Sequence, residues 1–361
     1  MRRRRVSSRS VRGVPRNIGT PWCAVLGGSG DPFAPDRGAD RAGSVLYGKE
    51  YFVQPEPHVT TPSEDRGPPS RPRRRRWPAV LLGLVAVLAV FLGTEWKAAS
   101  DRGGQRPAEP FRIAGNLYYV GANDVAAFLV TGPAGHVLID GGYPSTPPLI
   151  LASIAKLGFD VRDVRLLLNS EPHHDHAGGL AALQRASGAA LWASAASADV
   201  IAAGGDDPDL ALPLRTLFRL GVLGYPAARV DRRLRDGDAV RVGPLALTAH
   251  VTGGHTRGCT SWTFPVREGD RTLQVVSACS LVRLGVGQYP GQAADFARTV
   301  RVLRALPADI WVTSHARLWG RYRKYAARAA AANPADPFID PAGYRAYVDS
   351  GEARLRRGVM Q

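Results

Sequence analysis

The chain is poor in cysteine and in acidic residues. Only 3 of its 361 residues are cysteine, and 47 Lys and Arg face 31 Asp and Glu. Three cysteines do not form a disulfide framework, which excludes the small disulfide-held scaffolds. We expect Cys259 and Cys279 to be unpaired, with a bridge between them as the less favoured alternative. An apolar content of 45% supports a large buried core.

The shortage of acid is concentrated near the N-terminus. Residues 1–106 hold 19 Lys and Arg against 9 Asp and Glu, and the remainder holds 28 against 22. The arginines have no aromatic interleaving and no nucleic-acid module around them, so we predict no nucleic-acid partner. Residues 1–76 also lack a periodic apolar pattern and are rich in Gly and Pro. We expect a disordered extension there, or a start codon assigned too far upstream.

One segment combines a basic run with an uncharged apolar run. Five arginines within residues 71–76 precede the apolar residues Trp77–Leu92. This order predicts a signal peptide or a membrane anchor over residues 77–94, followed by a linker at 95–110. We therefore expect an exported, periplasmic or extracytoplasmic protein, with a tether to the inner membrane as an alternative. The folded domain should cover residues 111–361, and we expect it to be a monomer.

From Phe111 onward, strand and helix patterns alternate. Short apolar runs between Gly turns predict strands, and longer amphipathic runs predict helices. Gly204–Ala228, rich in Pro and Gly, reads as a long loop beside a site. Two groups of strands with helices outside each predict an α/β fold, a four-layer αββα sandwich. The predicted strands are Phe111–Val120, Ala126–Val130, His136–Asp140, Val164–Leu168, Val240–Thr252, Thr260–Val266, Thr272–Ser277 and Ile310–Thr313. The predicted helices are Pro147–Leu157, Leu180–Arg185, Ala198–Ala203, Phe296–Leu306, Tyr322–Ala332 and Pro341–Arg357.

The densest chemistry lies in Glu171–His176, which reads Glu-Pro-His-His-Asp-His. It follows a buried strand and precedes a helix, so its side chains occupy a strand-end loop. Glu171 and His173 could point at one metal, and Asp175 and His176 at a second. Imidazole and carboxylate suit zinc. His174 occupies a spacer position and should point away.

A metal centre at this loop needs further ligands from elsewhere in the chain. His255 lies in a Gly-rich turn after a strand, and His315 follows the strand Ile310–Thr313, so both occupy strand-end loops. Asp140 ends a buried strand and is a candidate to orient a ligand, or a simple turn residue. We assign structural or surface roles to His58, His136 and His250.

These residues resemble the metallo-β-lactamase superfamily, whose pattern is H-x-H-x-D-H followed by later Asp and His ligands. Phe111–Arg357 is similar to class B, subclass 3 enzymes in four features. Asp175 is followed by His, and the turn at His255 leads into Cys-Thr-Ser-Trp-Thr. Ser280 stands where lactonases and glyoxalases keep a bridging Asp, and the chain end from Asn333 to Tyr344 is also similar. Glu171 departs from the pattern, which usually has His there.

The resemblance implies two zinc ions per domain. One would be held by Glu171, His173 and His255, and the other by Asp175, His176 and His315. Ser280 would hold a water near the second ion, or Cys279 would be a ligand in its place.

The implied reaction is hydrolysis of the β-lactam ring of penicillins, cephalosporins or carbapenems, which confers antibiotic resistance. Hydroxide generated at the metals would attack the amide carbonyl, with Asp175 orienting it and accepting a proton. Two alternatives stay open: a lactonase or thioesterase of the same superfamily, and a membrane-tethered metal-binding protein with little catalysis.

Overall fold

The computed structural model describes residues 77, 80–91, 106–285 and 287–358. Within this part, two β-sheets form the centre of an α/β domain. The first has seven strands in sequence order, antiparallel from β1 to β4 and parallel from β4 to β7. Its strands are β1 (Phe111–Ala114), β2 (Leu117–Tyr119), β3 (Phe128–Val130), β4 (His136–Ile139), β5 (Val164–Leu168), β6 (Ala190–Ser194) and β7 (Arg232–Leu234).

The second sheet has five strands, in the order β12-β11-β10-β9-β8. All its pairs are antiparallel except β11 with β12, which a helix connects. Strands β10 and β11 form a long hairpin. The strands are β8 (Ala239–Val242), β9 (Leu245–Val251), β10 (Thr260–Glu268), β11 (Arg271–Ala278) and β12 (Ile310–Thr313).

Helices connect the parallel strands and form the C-terminal part of the domain. Three short 3-10 helices, at Val161–Asp163, Arg328–Ala330 and Asp336–Phe338, lie between them. The α-helices are α1 (Pro147–Lys156), α2 (His174–Ala177), α3 (Leu180–Ser187), α4 (Ala195–Ala202), α5 (Leu212–Arg219), α6 (Gln292–Ala305), α7 (Arg321–Ala327) and α8 (Pro341–Arg356).

Two apolar cores hold these elements together. The larger joins the facing sides of both sheets, with Phe111, Leu168 and Trp262 among its buried members. The smaller packs α1, α3 and α4 against the other face of the seven-stranded sheet, around Leu138 and Leu183. Because β5 is covered on both faces, it reads as a nearly continuous apolar run, which is why its bounds follow from the sequence.

The structure departs from the sequence prediction in several elements. The predicted strand Phe111–Val120 is the two strands β1 and β2, and Val240–Thr252 contains parts of both β8 and β9. Strands β6 and β7 were not predicted. The apolar run of β6 is short, and β7 begins with two exposed arginines. The predicted loop Gly204–Ala228 contains helix α5. No residue of α5 is buried. Its eight residues include Pro213 and lie between Gly-containing turns, a composition that is typical of a loop.

The N-terminal predictions fall mostly outside the described residues, including the extension at 1–76 and much of the linker at 95–110. Residues 80–91 are helical. No helix in the described part of the chain combines the length and apolar character needed to cross a membrane. The signal peptide, the exported location and the monomeric state stay predictions.

The expectation of unpaired cysteines is wrong. Cys259 and Cys279 form a disulfide, with 5.9 Å between their Cα atoms. Cys259 precedes β10 and Cys279 follows β11, and these neighbouring strands bring the two residues together. The sequence predicts both strands, but it does not show the directions in which the side chains at their ends point. Cys279 is therefore not the free thiolate ligand considered as an alternative to Ser280.

We predict that the disulfide stabilises the domain by closing a chain loop. For a sequence separation of 20 residues, loss of the bond should lower the free energy of unfolding by about 3 kcal/mol. Urea unfolding of the Cys259→Ser/Cys279→Ser double variant measures this loss. The same unfolding experiment on Cys23→Ser is the control, and an unchanged double variant would contradict the prediction.

Candidate metal centre

The loop after β5 is fixed by a buried carboxylate. Asp140, just after β4 and with a positive φ of 66°, accepts hydrogen bonds from the Ser170 amide at 2.7 Å and the Ser170 hydroxyl at 2.6 Å. The Asn169 side chain donates to it at 3.2 Å. Burial raises the pKa of Asp140 to about 6 despite the opposing charge of His176. Asp140 thus holds the backbone that immediately precedes Glu171. Its role in orienting a metal ligand stays a prediction.

Glycine permits the tight turn that follows the loop. After the extended His173, the single-turn helix α2 places Asp175 and His176 on the inner side. A Cβ on Gly179 would lie 2.1 Å from the carbonyl oxygen of Gly141, so only glycine fits this approach. From the other side, the Tyr225 hydroxyl donates to the Pro172 carbonyl at 2.7 Å. Sequence analysis gave no signal for Tyr225.

The first group of candidate ligands comprises Glu171, His173 and His255. Oε2 of Glu171 lies 2.6 Å from Nδ1 of His173 and 2.7 Å from Nε2 of His255. These two nitrogens are 3.1 Å apart. Three donor atoms from two loops therefore surround one point.

The second group comprises Asp175, His176 and His315. Oδ2 of Asp175 lies 3.2 Å from Nε2 of His176 and 3.5 Å from Nε2 of His315. The groups are adjacent, because Oε1 of Glu171 is 3.8 Å from the same His176 nitrogen. The structure thus brings together all six ligands that the sequence predicted, in the predicted triplets.

Both distant histidines are oriented through their second ring nitrogen. Nδ1 of His255 donates to the Val282 carbonyl at 2.6 Å, and Nδ1 of His315 lies 3.2 Å from Oδ2 of Asp124. These partners direct both Nε2 atoms into the cleft. Sequence analysis missed Asp124, because a single aspartate in a short turn has no distinguishing pattern.

The turn that carries His255 is built around close packing. Gly254 has φ of 133°, and a Cβ there would lie 2.5 Å from the Phe296 ring. The Thr299 hydroxyl donates to the Gly253 carbonyl at 2.7 Å, and the Gln292 amide to the Gly254 carbonyl at 2.9 Å. Helix α6 therefore fixes the position of the His255 backbone.

Glu171 is buried and Asp175 is half-buried, yet the pKa values of both carboxyl groups are low. Burial alone raises the pKa of Glu171, but the charges of His255 and His176 and the hydrogen bonds with His173 and His255 hold it well below its usual range. The same balance, with His176 and His315, lowers the pKa of Asp175. Burial lowers the pKa of His176, while Asp175 and Glu171 outweigh that effect and raise it to about 10. Positive charge is therefore stabilised at this site.

The arrangement fits divalent zinc. Two ring nitrogens that face each other at 3.1 Å need a proton or a cation between their lone pairs, and here both also face a carboxylate oxygen. Four imidazoles and two carboxylates are nitrogen and oxygen donors that zinc accepts. Each triplet leaves room for a non-protein ligand, as in catalytic zinc sites.

The remaining predicted residues have different roles. Ser280 is buried, and its hydroxyl accepts from the Val282 amide at 3.2 Å, which shapes the turn that supplies the acceptor for His255. Its predicted water stays a prediction. His174 lies between the rings of Tyr143 and Tyr225 and lines the cavity, away from both donor groups. His250 bonds to Thr263 and His136 packs on Phe159, as structural residues do.

We predict that the Glu171 carboxylate is needed for metal affinity in the first group. Glu171→Gln keeps the shape but removes the charge, so zinc affinity of this group should fall at least about tenfold. Competition against a chromophoric chelator measures it. Glu109→Gln, which alters an exposed carboxylate paired with Lys156, is the matched control. Equal zinc affinity in the Glu171→Gln and unaltered chains would refute the role of the charge.

Comparison with known proteins identifies the family of this domain. The profile of the Metallo-beta-lactamase superfamily matches residues 120–272. Among solved structures, the chain is similar to the Rm3 metallo-beta-lactamase, with 40% identity and a TM-score of 0.64 over 70% of this chain and 94% of that one. It is also similar to BJP-1, a subclass B3 metallo-beta-lactamase of Bradyrhizobium japonicum, with 32% identity and a TM-score of 0.64 over 71% and 95%.

Curated relatives carry a different activity. The chain is 29% identical over 192 residues to a "Hydroxyacylglutathione hydrolase" of Jannaschia sp. (strain CCS1), which covers 53% of this chain and 61% of that protein. The chain thus spans little more than half the length of the curated relatives it matches. The fold, the two donor groups and identities of 30–40% to subclass B3 structures agree. The chain belongs to the metallo-β-lactamase superfamily.

Proposed function

We propose that this hydrolase opens the β-lactam ring of penicillins, cephalosporins or carbapenems with the help of two zinc ions. The observation that carries the proposal is the pair of adjacent donor groups at the floor of one apolar-walled cavity. The likeness to solved β-lactamases, which the chain matches over more than nine-tenths of their length, supports it. Antibiotic resistance would be the biological consequence.

The residues of the chain would bind the two zinc ions and orient the attacking water. Glu171, His173 and His255 would hold one zinc, and Asp175, His176 and His315 the other. When bound, zinc polarises a carbonyl oxygen and lowers the pKa of coordinated water to about 7. Asp175 stays ionised because its pKa is lowered, so Oδ2 is suited to accept a hydrogen bond from the attacking water and orient it. Because its pKa is lowered, Asp175 would not retain a proton, so we assign it the role of orienting the water rather than that of accepting the proton.

The cavity above the donor groups suits an apolar substrate body. Its volume is about 360 Å³, within the range of small-molecule sites. Helix α5 and its flanking turns supply most of the wall, and no Lys or Arg of the described residues lines it. The apolar lining residues are Val200, Leu210, Leu214, Phe218, Leu223 and Leu284.

A thioesterase of the kind named among the curated relatives is the second candidate. A glutathione thioester carries two carboxylates on a polar tripeptide. The apolar wall and Asp207, a carboxylate in the cavity, disfavour these two carboxylates more than the single carboxylate of a β-lactam. The end of β11 also presents Cys279 and Ser280, where the resemblance places a bridging Asp in glyoxalases and lactonases. These residues favour the β-lactam over the thioester or lactone.

We predict zinc-dependent hydrolysis of β-lactams by the full chain. A chelator should abolish turnover, and added zinc should restore it. Asp175→Ala and His255→Ala should each lower kcat by more than about 100-fold, because even partners of metal ligands contribute 10–100-fold. The assay compares a penicillin, a cephalosporin and a carbapenem with hydroxyacylglutathione and an acyl-homoserine lactone. Faster turnover of the thioester or lactone would favour the second candidate, and activity without zinc would exclude both.

We also predict that Phe218 binds the apolar part of the substrate. Phe218→Ala should raise KM about tenfold for penicillins with an aromatic acyl group, since burying such a ring contributes about 1.5–3 kcal/mol. The kcat value should change little, because Phe218 lies on the cavity wall and belongs to neither donor group. Leu212→Ala is the matched control, as Leu212 lies on the same helix but is 71% exposed. Equal KM values for the two variants would contradict this role.

A further inference from the structure

Asp124 lies outside the six donors but is firmly attached to the strand end that carries His315. Val125 forms an isolated antiparallel bridge with His315. The Ala316 amide donates to the Asp124 carbonyl at 2.6 Å, and the Ala126 amide to the Ser314 carbonyl at 2.9 Å. Backbone contacts of the β2–β3 loop therefore fix the position of Asp124 independently of its side chain.

The Asp124 carboxylate contacts the outward side of the His315 ring. Its Oδ2 lies 3.2 Å from Nδ1 of His315, while Nε2 of the same ring faces Asp175 across the cleft. An Nδ1–H that donates to this carboxylate leaves the lone pair on Nε2, the atom that a metal requires. His255 is oriented by a neutral carbonyl instead, so a charged acceptor distinguishes the second donor group from the first.

Arg317 shares the same carboxylate. Its guanidinium contacts Oδ2 of Asp124, and its backbone amide donates to Oδ1 at 3.2 Å. The guanidinium nitrogen also lies 3.5 Å from Nδ1 of His315. Since the side chain of Arg317 is 58% exposed, it reaches Asp124 from the solvent side. The Asp124 carboxylate thus lies between the His315 imidazole and the Arg317 guanidinium.

We propose that Asp124 is the positioning residue of His315, and that Arg317 moderates its charge. Asp124 fixes the ring orientation and the Nδ1–H tautomer, so that Nε2 is ready to bind the second zinc. Arg317 takes up part of the carboxylate's negative charge and so limits how strongly the second ion is held. The inference rests on the proposed zinc centre but not on the identity of the substrate.

The test is zinc binding to the full chain without substrate. Competition with a chromophoric chelator resolves two binding steps, which His255→Ala and His315→Ala assign to the two groups. Asp124→Ala should weaken zinc at the second group by about 10–100-fold and leave the first within about threefold. Asp124→Asn should be weakened less, because its amide oxygen still accepts from Nδ1. Equal weakening of both groups, or none at the second, would overturn the positioning role.

A second readout observes the ring itself. Long-range ¹⁵N NMR of the zinc-free chain should show His315 protonated at Nδ1, and Asp124→Ala should lose this preference. A ring protonated only at Nε2 in the unaltered chain would mean that Arg317 donates to Nδ1, and would overturn the proposal. This spectrum needs neither zinc nor β-lactam, so it separates failure of this inference from failure of the proposed function.

Arg317→Ala tests the moderating role. The backbone amide of residue 317 still holds the carboxylate, so the second zinc should bind about two- to fivefold more tightly, the scale of an exposed ion pair. The gain should shrink in 1 M salt, where charges are screened within about 3 Å. Arg323→Ala, another exposed arginine of this region, is the matched control. Weaker zinc binding by Arg317→Ala would overturn the moderating role.

Discussion

The buried carboxylate of Glu171 is the interaction on which the rest of the centre depends. A charge withdrawn from water must be compensated, and here three imidazoles from two separate loops provide the compensation. Ser314 adds a hydroxyl that donates to Oε1 at 3.3 Å. Because Glu171 contacts members of both donor groups, its position sets the spacing between them. A neutral histidine, usual at this position in the superfamily, would not bring this negative charge.

Glu171 can occupy this place only because the scaffold fixes its backbone. Asp140 holds the preceding residues from one side, and the Cys259–Cys279 disulfide lies on another, with Sγ of Cys279 3.3 Å from the Ser170 carbonyl oxygen. Helix α6 positions the His255 turn, and the β2–β3 loop positions His315. The donor residues are thus held in place by several elements that are far apart in the sequence. This explains how loops can form a defined site: each is attached to a packed element by buried hydrogen bonds or a covalent bond.

The cavity wall is formed by a different part of the molecule. Helix α5 lies beyond the cores, and none of its residues is buried, yet it contributes Leu214 and Phe218 to the cavity wall. Asp206 accepts from Arg215 and Arg219 of this helix, and Arg257 joins Asp209 to the His255 turn. The donor groups and the cavity wall therefore belong to separate elements, which the polar contacts of Asp206 and Asp209 connect. Variation in α5 can alter the cavity without disturbing the donor groups.

The sequence by itself determined the α/β class, most strand and helix bounds and all six candidate ligands. Local apolar periodicity marks elements such as β5, and the dense cluster at Glu171–His176 requires partners that only a few loop histidines could supply. Only the tertiary structure decided the disulfide, helix α5 as a wall, and the orienting roles of Asp124 and Val282. These depend on side-chain direction and on contacts between residues up to 191 positions apart, such as Asp124 with His315. A linear pattern records neither, because such contacts exist only after the sheets have brought their strand ends together.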